Sequence, residues 1–306
     1  MATLSSAQPA EASATRTRRK GRARDRVPFG FAIPCLVLFA AIVAYPTIQG
    51  VYYAFTDWSG LGSAIHFNGL SNFLALFSSD QAAGAVWHTL VMALAITVLQ
   101  NAIGLAVALG LNSRIKSRNV LRTLLFAPVV MTPIIVGYLW QFIFVPGGPI
   151  ARLSEVFGFA GGINVLGDPT LARWGIVAIA VWQNLGYSMV IYLAGMQNIP
   201  AEVLEAAAID GAGPVKRFVW VTWPLLRTPT LINATLSLIM SLKLFDQVMA
   251  TTQGGPGNAT QTLSTLLYNE AFLYNKYGYG MALGLIAFIL IAGISFGQMV
   301  LFRERD

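Results

Sequence analysis

Five side chains inside apolar stretches of this sequence are suited to binding a polar small molecule. Gln183 and Asn184 carry amides, Thr132 carries a hydroxyl, and Tyr187 and Trp182 offer aromatic faces. On a helix, Gln183 and Tyr187 would lie one turn apart on the same side. Polar groups are costly in an apolar layer, so such residues are candidates for contact with a solute. The alternative is that they hydrogen-bond between helices and only hold a bundle together.

Lys243 and Asp246 are formal charges that lie well inside an apolar stretch. Their spacing would place both on one face of a helix, where they can partly neutralise each other. A charge at the centre of a bilayer costs about 2.5–3.5 kcal/mol on insertion scales. We therefore expect a structural or gating ion pair, with direct solute contact as the alternative.

The sequence predicts no catalytic residue, metal site or nucleotide site. His66 and His88 have no second ligand type at metal-binding spacing, and Cys35 has no partner for an intrachain disulfide. A nucleotide-binding P-loop needs a lysine that directly follows a glycine. None of the five lysines does so: Lys20, Lys116, Lys216, Lys243 and Lys276. We therefore expect no cofactor in this chain.

The composition indicates an all-α, polytopic membrane protein. The 306 residues are 56% hydrophobic and 11% charged, with a mean hydropathy of +0.63, whereas soluble domains average roughly 25% charged residues. The apolar runs are about 20 residues long, which is the length that crosses a bilayer as a helix. Six transmembrane helices are predicted, near residues 29–54, 85–111, 120–145, 173–196, 229–252 and 280–302.

The placement of positive charge predicts the orientation of these spans. Seven of the twenty Lys and Arg residues lie at 16–26, and the connections on the same side raise the total there to sixteen, against three on the other side. By the positive-inside rule, both termini and the 197–228 connection face the cytoplasm. The net charge of +7 then indicates contact with anionic membrane lipid rather than nucleic acid.

The chain is expected to consist of a disordered basic tail at 1–28 and a membrane domain at 29–305. The first apolar run is too long for the core of a signal peptide, so we expect it to be retained as an anchor.

The longest cytoplasmic connection, at 197–228, includes a loop at 200–224 that should contain a short helix. Glutamate and alanine at 205–208 favour a helix, and Gly211 ends it. A helix this short is not stable alone in water, so it needs a surface on which to dock. That surface could be a groove in another protein or the membrane itself, and the residues alone leave both open.

The stretch EAAAIDGAGPVKRFVWVTWP, residues 205–224, closely resembles the EAA loop of permeases from binding-protein-dependent ABC importers. The residues that fit the family pattern are Glu205, Ala206, Ala207, Asp210, Gly211, Ala212 and Pro224. Trp223 departs from the leucine that usually precedes the proline, which affects packing more than docking. The resemblance covers roughly residues 29–305. Three further stretches resemble the maltose-type carbohydrate branch: AYPTIQGVYYAFTDW at 44–58, GLSNF at 69–73 and FDQVMATTQGGPGNATQTL at 245–263.

This resemblance implies that the loop at 200–224 is a coupling helix seated in a groove of a separate ATPase. Two cytoplasmic ATPase subunits would bind ATP and Mg²⁺, and a second homologous permease would complete the pathway. An extracytoplasmic solute-binding protein would deliver a sugar, and the chain would lie in the bacterial cell membrane, surrounded by lipid.

Three alternatives to a sugar importer concern the solute, the energy source and the class of protein. Within the importer class, the solute could be a polyol phosphate, an amino acid or a peptide. An ion-coupled secondary transporter is disfavoured because no convincing internal repeat is visible. A membrane-embedded enzyme would need clustered nucleophiles, bases or metal ligands within the spans, and the sequence has none.

Overall fold

A computed structural model describes residues 32–62, 64–113, 115–159 and 162–302. Within these ranges the chain is almost entirely helical and has no β-strand, and an isolated antiparallel bridge joins Thr56 to Phe67. The all-α fold class is therefore confirmed for this part of the chain. The predicted basic tail at 1–28 lies outside the described residues.

Thirteen helices follow one another in the described ranges. They are α1 Ile33–Tyr53, α2 Ser71–Phe77, α3 Asp80–Asn112, α4 Arg118–Val130, α5 Pro133–Phe144, α6 Pro149–Val156, α7 Pro169–Gln197, α8 Ala201–Ile209, α9 Pro214–Leu225, α10 Arg227–Leu242, α11 Asp246–Thr251, α12 Leu263–Tyr268 and α13 Tyr277–Phe302. A π-helical turn, Asn269–Leu273, continues α12.

Five helical segments of the described chain are long and apolar enough to cross a membrane. They are Ile33–Tyr53, Asp80–Asn112, Pro133–Val156, Pro169–Gln197 and Tyr277–Val300. Helices α9 and α10 together pass the same test but are bent by 67°, and they make a sixth span if counted as one. The structure thus agrees with a polytopic membrane protein.

Two of the predicted spans are not continuous helices. The segment 120–145 breaks at Met131 and Thr132, whose ψ angles of 141° and 137° are extended. Thr132 precedes Pro133, and the proline ring disfavours a helical conformation for the residue before it. The segment 229–252 breaks at 243–245, where no proline or glycine gives a local signal. Each of these two segments therefore consists of two helices separated by a short break.

Proline also reshapes helices without ending them. Pro46 and Pro224 each lie just after a π-helical turn, at Ala40–Ala44 and Phe218–Thr222. A proline in a helix removes an amide donor and clashes with the carbonyl four residues earlier. The wider π turn is a known way for a helix to absorb such an irregularity.

The chain divides into two compact units, Met1–Thr47 and Ile48–Asp306. In the first unit, the helical segment Ile33–Phe39 buries none of its residues. In the second, the most extensive contact is between α3 and α7. There Gly104 lies so close to α7 that an added Cβ would be 2.6 Å from the Cβ of Ser188, which is the small-residue packing typical of membrane helices.

Two apolar clusters fill the second unit along α3 and α7. Met92, Ile96, Ile176 and Val248 belong to one cluster. The other lies nearer the C-terminal end of both helices and contains Ala108, Met189, Tyr192, Met196 and Leu226. These clusters fix α3, α7 and the start of α10 as one packed body.

Candidate coupling loop and buried polar site

Helix α8, which carries the EAA residues, lies on the surface of the chain. It buries none of its nine residues. Glu205 and Ala206 are exposed and Ala207 is half-buried, while Ile209 is 87% exposed. A helix of this length needs packing for stability, and an apolar side chain this exposed marks a surface that something else can cover.

The turn after α8 is a Schellman motif centred on Gly211. The amide of Ala212 donates to the carbonyl of Ala207 at 3.0 Å, and the amide of Gly211 donates to the carbonyl of Ala208 at 3.1 Å. Gly211 has a φ of +75°, a left-handed conformation that glycine adopts without steric cost. The predicted end of the helix at Gly211 is confirmed, with Asp210 as its C-cap.

The remainder of the loop connects α8 to the core. Helix α9 begins at Pro214 and meets α10 at Leu226, which is completely buried. Leu226 belongs to the cluster with Tyr192 and Met196 of α7. A displacement of α8 can therefore reach α7 through one short, sharply bent connection.

Of the five polar candidates, Gln183 is the one that is deeply buried, with 2% exposure. Its Nε2 donates to the carbonyl of Met131 at 3.0 Å, and its Oε1 accepts a 2.8 Å hydrogen bond from Nε2 of Gln247. The helix break at Met131 frees that carbonyl, and Gln247 stands just after the break at 243–245. Gln183 thus connects α7 to both broken helices.

The other four candidates are more accessible. Thr132 is exposed, and its side chain does not cap helix α5. Asn184 is half-buried, and its Nδ2 donates to the carbonyl of Ala180 at 3.0 Å. Trp182 and Tyr187 are 37% and 38% exposed. Trp182 also packs edge-to-face on Trp140, with the ring centroids 5.5 Å apart. These four side chains are therefore more exposed than Gln183, whose amide is already hydrogen-bonded to Met131 and Gln247.

The expected pairing of Lys243 with Asp246 on one helical face is wrong. Helix α10 ends at Leu242 and α11 starts at Asp246, with Phe245 between them at φ −136° and ψ −61°. Among the described residues, ion pairs join Asp57 to His66 and Glu270 to Lys276, and none joins Lys243 to Asp246. Lys243 is exposed and Asp246 is half-buried.

The GGP-containing loop folds back onto the helices and stabilises the second break. Thr262 Oγ1 donates to the carbonyl of Leu244 at 2.9 Å, which satisfies a group that the break leaves free. Thr89 of α3 accepts from the amide of Leu263 at 2.9 Å. In this loop Gly254 has a positive φ of +94°, whereas Gly255 does not.

Sequence reasoning missed a buried polar network between α3, α7 and α10. Gln100 Nε2 donates to Ser188 Oγ at 2.8 Å, and Ser188 donates to Asn233 Oδ1 at 3.0 Å. Nearby, the hydroxyl of Tyr192 donates to Asn101 Oδ1 at 2.9 Å. The available signal was the presence of two adjacent amides, Gln100 and Asn101, in the middle of an apolar span.

Comparison with protein families gives a match over most of the chain. The family described as "Binding-protein-dependent transport system inner membrane component" matches residues 100–305. A probable starch degradation products transport system permease from Thermoanaerobacterium thermosulfurigenes is 35% identical over 90% of this chain and 94% of its own length. A multiple sugar-binding transport system permease from Streptococcus mutans is also 35% identical, over 90% of this chain and 95% of its own.

Among solved structures, a bacterial ABC transporter involved in import of the acidic polysaccharide alginate has a TM-score of 0.80. The match covers 90% of this chain and 94% of that one at 20% identity, which shows a shared fold. Together with the apolar helices, these similarities identify a multi-pass membrane protein. The chain belongs to the family of inner membrane components of binding-protein-dependent transport systems, and the resemblance carried by its EAA loop is confirmed.

Proposed function

We propose that this chain is one of two homologous permease subunits in an ATP-driven, binding-protein-dependent sugar importer of a bacterial cell membrane. The family match supports the role of a transport permease. The sugar is supported by three of the relatives, whose names describe transport of starch degradation products, multiple sugars and arabinooligosaccharides.

The coupling role is supported by helix α8, which has no buried residue and ends in the hydrogen-bonded turn at Gly211. In this proposal α8 is seated in a groove of a cytoplasmic ATPase subunit, and Ile209 enters that groove. Both termini then face the cytoplasm, as the distribution of Lys and Arg predicts. The residues assigned to coupling are Glu205, Ala206, Ala207, Asp210, Gly211, Ala212 and Pro224.

The solute path is assigned to the region where the two broken helices meet α7. Broken helices at membrane depth occur where their freed backbone groups are buried in protein or line a cavity, and transporters bind substrates at such sites. Gln183 positions the two breaks, while Thr132, Asn184, Tyr187 and Trp182 present hydroxyl, amide and aromatic groups to a sugar. Lys243 and Asp246 flank the second break, and their proposed role is in a gate.

The mechanism follows from the connection between α8 and the core. A solute-binding protein delivers sugar to the extracytoplasmic ends of the helices. Binding of ATP and Mg²⁺ by two ATPase subunits brings them together, and the docked α8 moves with its ATPase. Leu226 transmits that movement to α7, so that the packed body of α3, α7 and α10 rotates between two states.

Reconstitution tests this proposal. The chain, its partner permease, the ATPase and the binding protein are incorporated into liposomes, and uptake of radiolabelled sugars is measured. We expect uptake that requires both ATP and the binding protein, and none from the chain alone. Solute movement by the chain alone, or uptake driven by an ion gradient in the absence of ATP, would refute the proposal.

A further inference from the structure

A polar cavity of about 530 Å³ lies at the N-terminal end of α3. It is lined by residues of the loop at 54–70, of α2 and of the segment at 270–279, including Trp58, Asn68, Ala75, Gln81, Glu270 and Lys276. Gln81 stands nineteen residues before Gln100, which places the cavity about 28 Å along α3 from the buried polar network. The cavity is therefore separate from that network, and none of Gln183, Met131 and Gln247 lines it.

Specific hydrogen bonds hold the walls of this cavity in place. The side-chain amide of Asn72 donates to the carbonyls of Ala54 and Thr56, at 2.9 and 2.8 Å. The amide of Gly278 donates to the carbonyl of Trp58 at 2.8 Å. These bonds fasten the first loop to α2 and to the start of α13, so the cavity is formed without a ligand.

One oxygen atom in the cavity wall, Oδ1 of Asn68, is a buried acceptor without a hydrogen bond. Oε2 of Glu270, a residue with 6% exposure, has an ion pair with Lys276 instead. Buried acceptors are costly when unpaired, so the cavity favours a ligand that supplies hydrogen-bond donors.

Both carboxylates that line the cavity already have a partner. Nζ of Lys276 lies 3.2 Å from Oε2 of Glu270, and Nδ1 of His66 lies 3.2 Å from Oδ2 of Asp57. Neutral hydroxyl groups can supply donors to the cavity without adding a charge beside these pairs.

We propose that this cavity is a second saccharide-binding site, outside the path that passes Gln183. A volume of this size lies within the usual range of ligand pockets, about 300–1,000 Å³. Hydroxyl groups of the sugar donate to Glu270 and Asn68, and Trp58 contributes an aromatic edge. The choice of saccharides among neutral polyhydroxyl compounds rests on the proposed sugar importer.

The test uses the assembled transporter in lipid nanodiscs, without its binding protein. Maltose, sucrose, raffinose and methylammonium are titrated separately by calorimetry, and hydrogen–deuterium exchange locates the binding. We expect at least one saccharide to bind and to slow exchange in 68–79 and 270–279. Ala75→Phe, which fills the cavity without removing a polar group, should weaken that binding by at least about tenfold. Leu74→Phe is the matched control, because Leu74 is 69% exposed and does not line the cavity.

Several results would overturn this site. They are the absence of binding by all three sugars, binding that protects only segments around Gln183, equal effects of the two phenylalanine variants, and binding of methylammonium alone. In a separate titration with the sugar-free binding protein, protection of 68–79 where no sugar protects it would identify a protein-docking surface and also reject the proposal. ATP-driven uptake is recorded after the same purified transporter is reconstituted into liposomes with its binding protein, so failure of the cavity is distinguished from failure of the importer function.

Discussion

The side-chain amide of Gln247 donates a 2.8 Å hydrogen bond to Oε1 of Gln183, and this bond joins α11 to α7. Gln183 in turn donates to the carbonyl of Met131 at the other helix break. One residue thus connects two interrupted helices that would otherwise leave polar groups unpaired in an apolar interior. Small residues also let the two interrupted helices approach each other closely. An added Cβ on Gly137 of α5 would lie only 2.5 Å from the Cβ of Ala250 on α11.

Replacing Gln247 by leucine should destabilise the chain. The change leaves Oε1 of the buried Gln183 without its donor, which costs about 1–3 kcal/mol. The measurement is thermal unfolding of the purified protein in detergent, where the midpoint should fall. Gln197→Leu, at the exposed end of α7, is the matched control and should leave the midpoint unchanged. Equal midpoints for both variants would contradict the proposed importance of the Gln183–Gln247 bond.

The two helix breaks differ in how far the sequence could predict them. The break at Thr132 has a local cause, because Thr132 precedes a proline, and the sequence does contain that signal. The break before Asp246 has no local cause. Its freed carbonyl at Leu244 is satisfied by Thr262, eighteen residues later, and a contact at that separation is not visible in a pattern of hydrophobicity. The pairing of Lys243 with Asp246 was wrong for this reason.

The Schellman turn predicts a sharp difference between two glycines of the coupling loop. An added Cβ would meet no atom within 4 Å at either Gly211 or Gly213, but only Gly211 has a positive φ. Gly211→Val should therefore strain the turn, while Gly213→Val should be tolerated at its extended backbone angles. ATP-driven uptake in liposomes should fall by about tenfold or more in the first variant, which corresponds to roughly 1.4 kcal/mol.

A control for this pair is the affinity of the binding protein for sugar, which should be the same with both variants. Uptake close to wild type in Gly211→Val would exclude a role for the turn in coupling.

The buried network predicts that one tyrosine hydroxyl on α7 matters and another does not. The hydroxyl of Tyr192 bonds to Asn101 across the interface with α3, and Tyr192 is 1% exposed. Tyr192→Phe should lower the free energy of unfolding by about 1 kcal/mol, since it leaves Asn101 with an unpaired acceptor. Tyr187→Phe removes an accessible hydroxyl from the same helix and should have no measurable effect on denaturant unfolding. Because the proposed solute path includes Tyr187, Tyr187→Phe should instead weaken uptake.

The loop at 54–70 should loosen in acid. The backbone amide of His66 donates to Oδ1 of Asp57 at 2.9 Å and holds the pKa of Asp57 below its usual value of 3.8. Because the folded pKa is lowered, the stabilising contribution is complete above 3.8 and is lost as the pH falls through the folded value. Protection of the His66 amide against hydrogen exchange, corrected for the intrinsic exchange rate, should therefore fall as the pH drops below 3.8. In Asp57→Asn the protection should not change with pH, and an identical fall in that variant would assign the effect to other groups.

Glu205 is predicted to contribute to assembly with the ATPase. It is exposed on α8, a helix that has no fully buried residue in the described part of the chain. In the proposed complex its carboxylate lies at the ATPase groove, so Glu205→Lys reverses a charge at the interface and should weaken assembly by several-fold or more. The measurement is the amount of ATPase that co-purifies with the permease pair at low salt, where electrostatic effects are largest. Glu155→Lys makes the same charge change at an exposed position on α6 and should retain full co-purification. Unchanged recovery of the ATPase with Glu205→Lys would remove Glu205 from the interface, while a loss with both variants would indicate a general effect of charge on the complex.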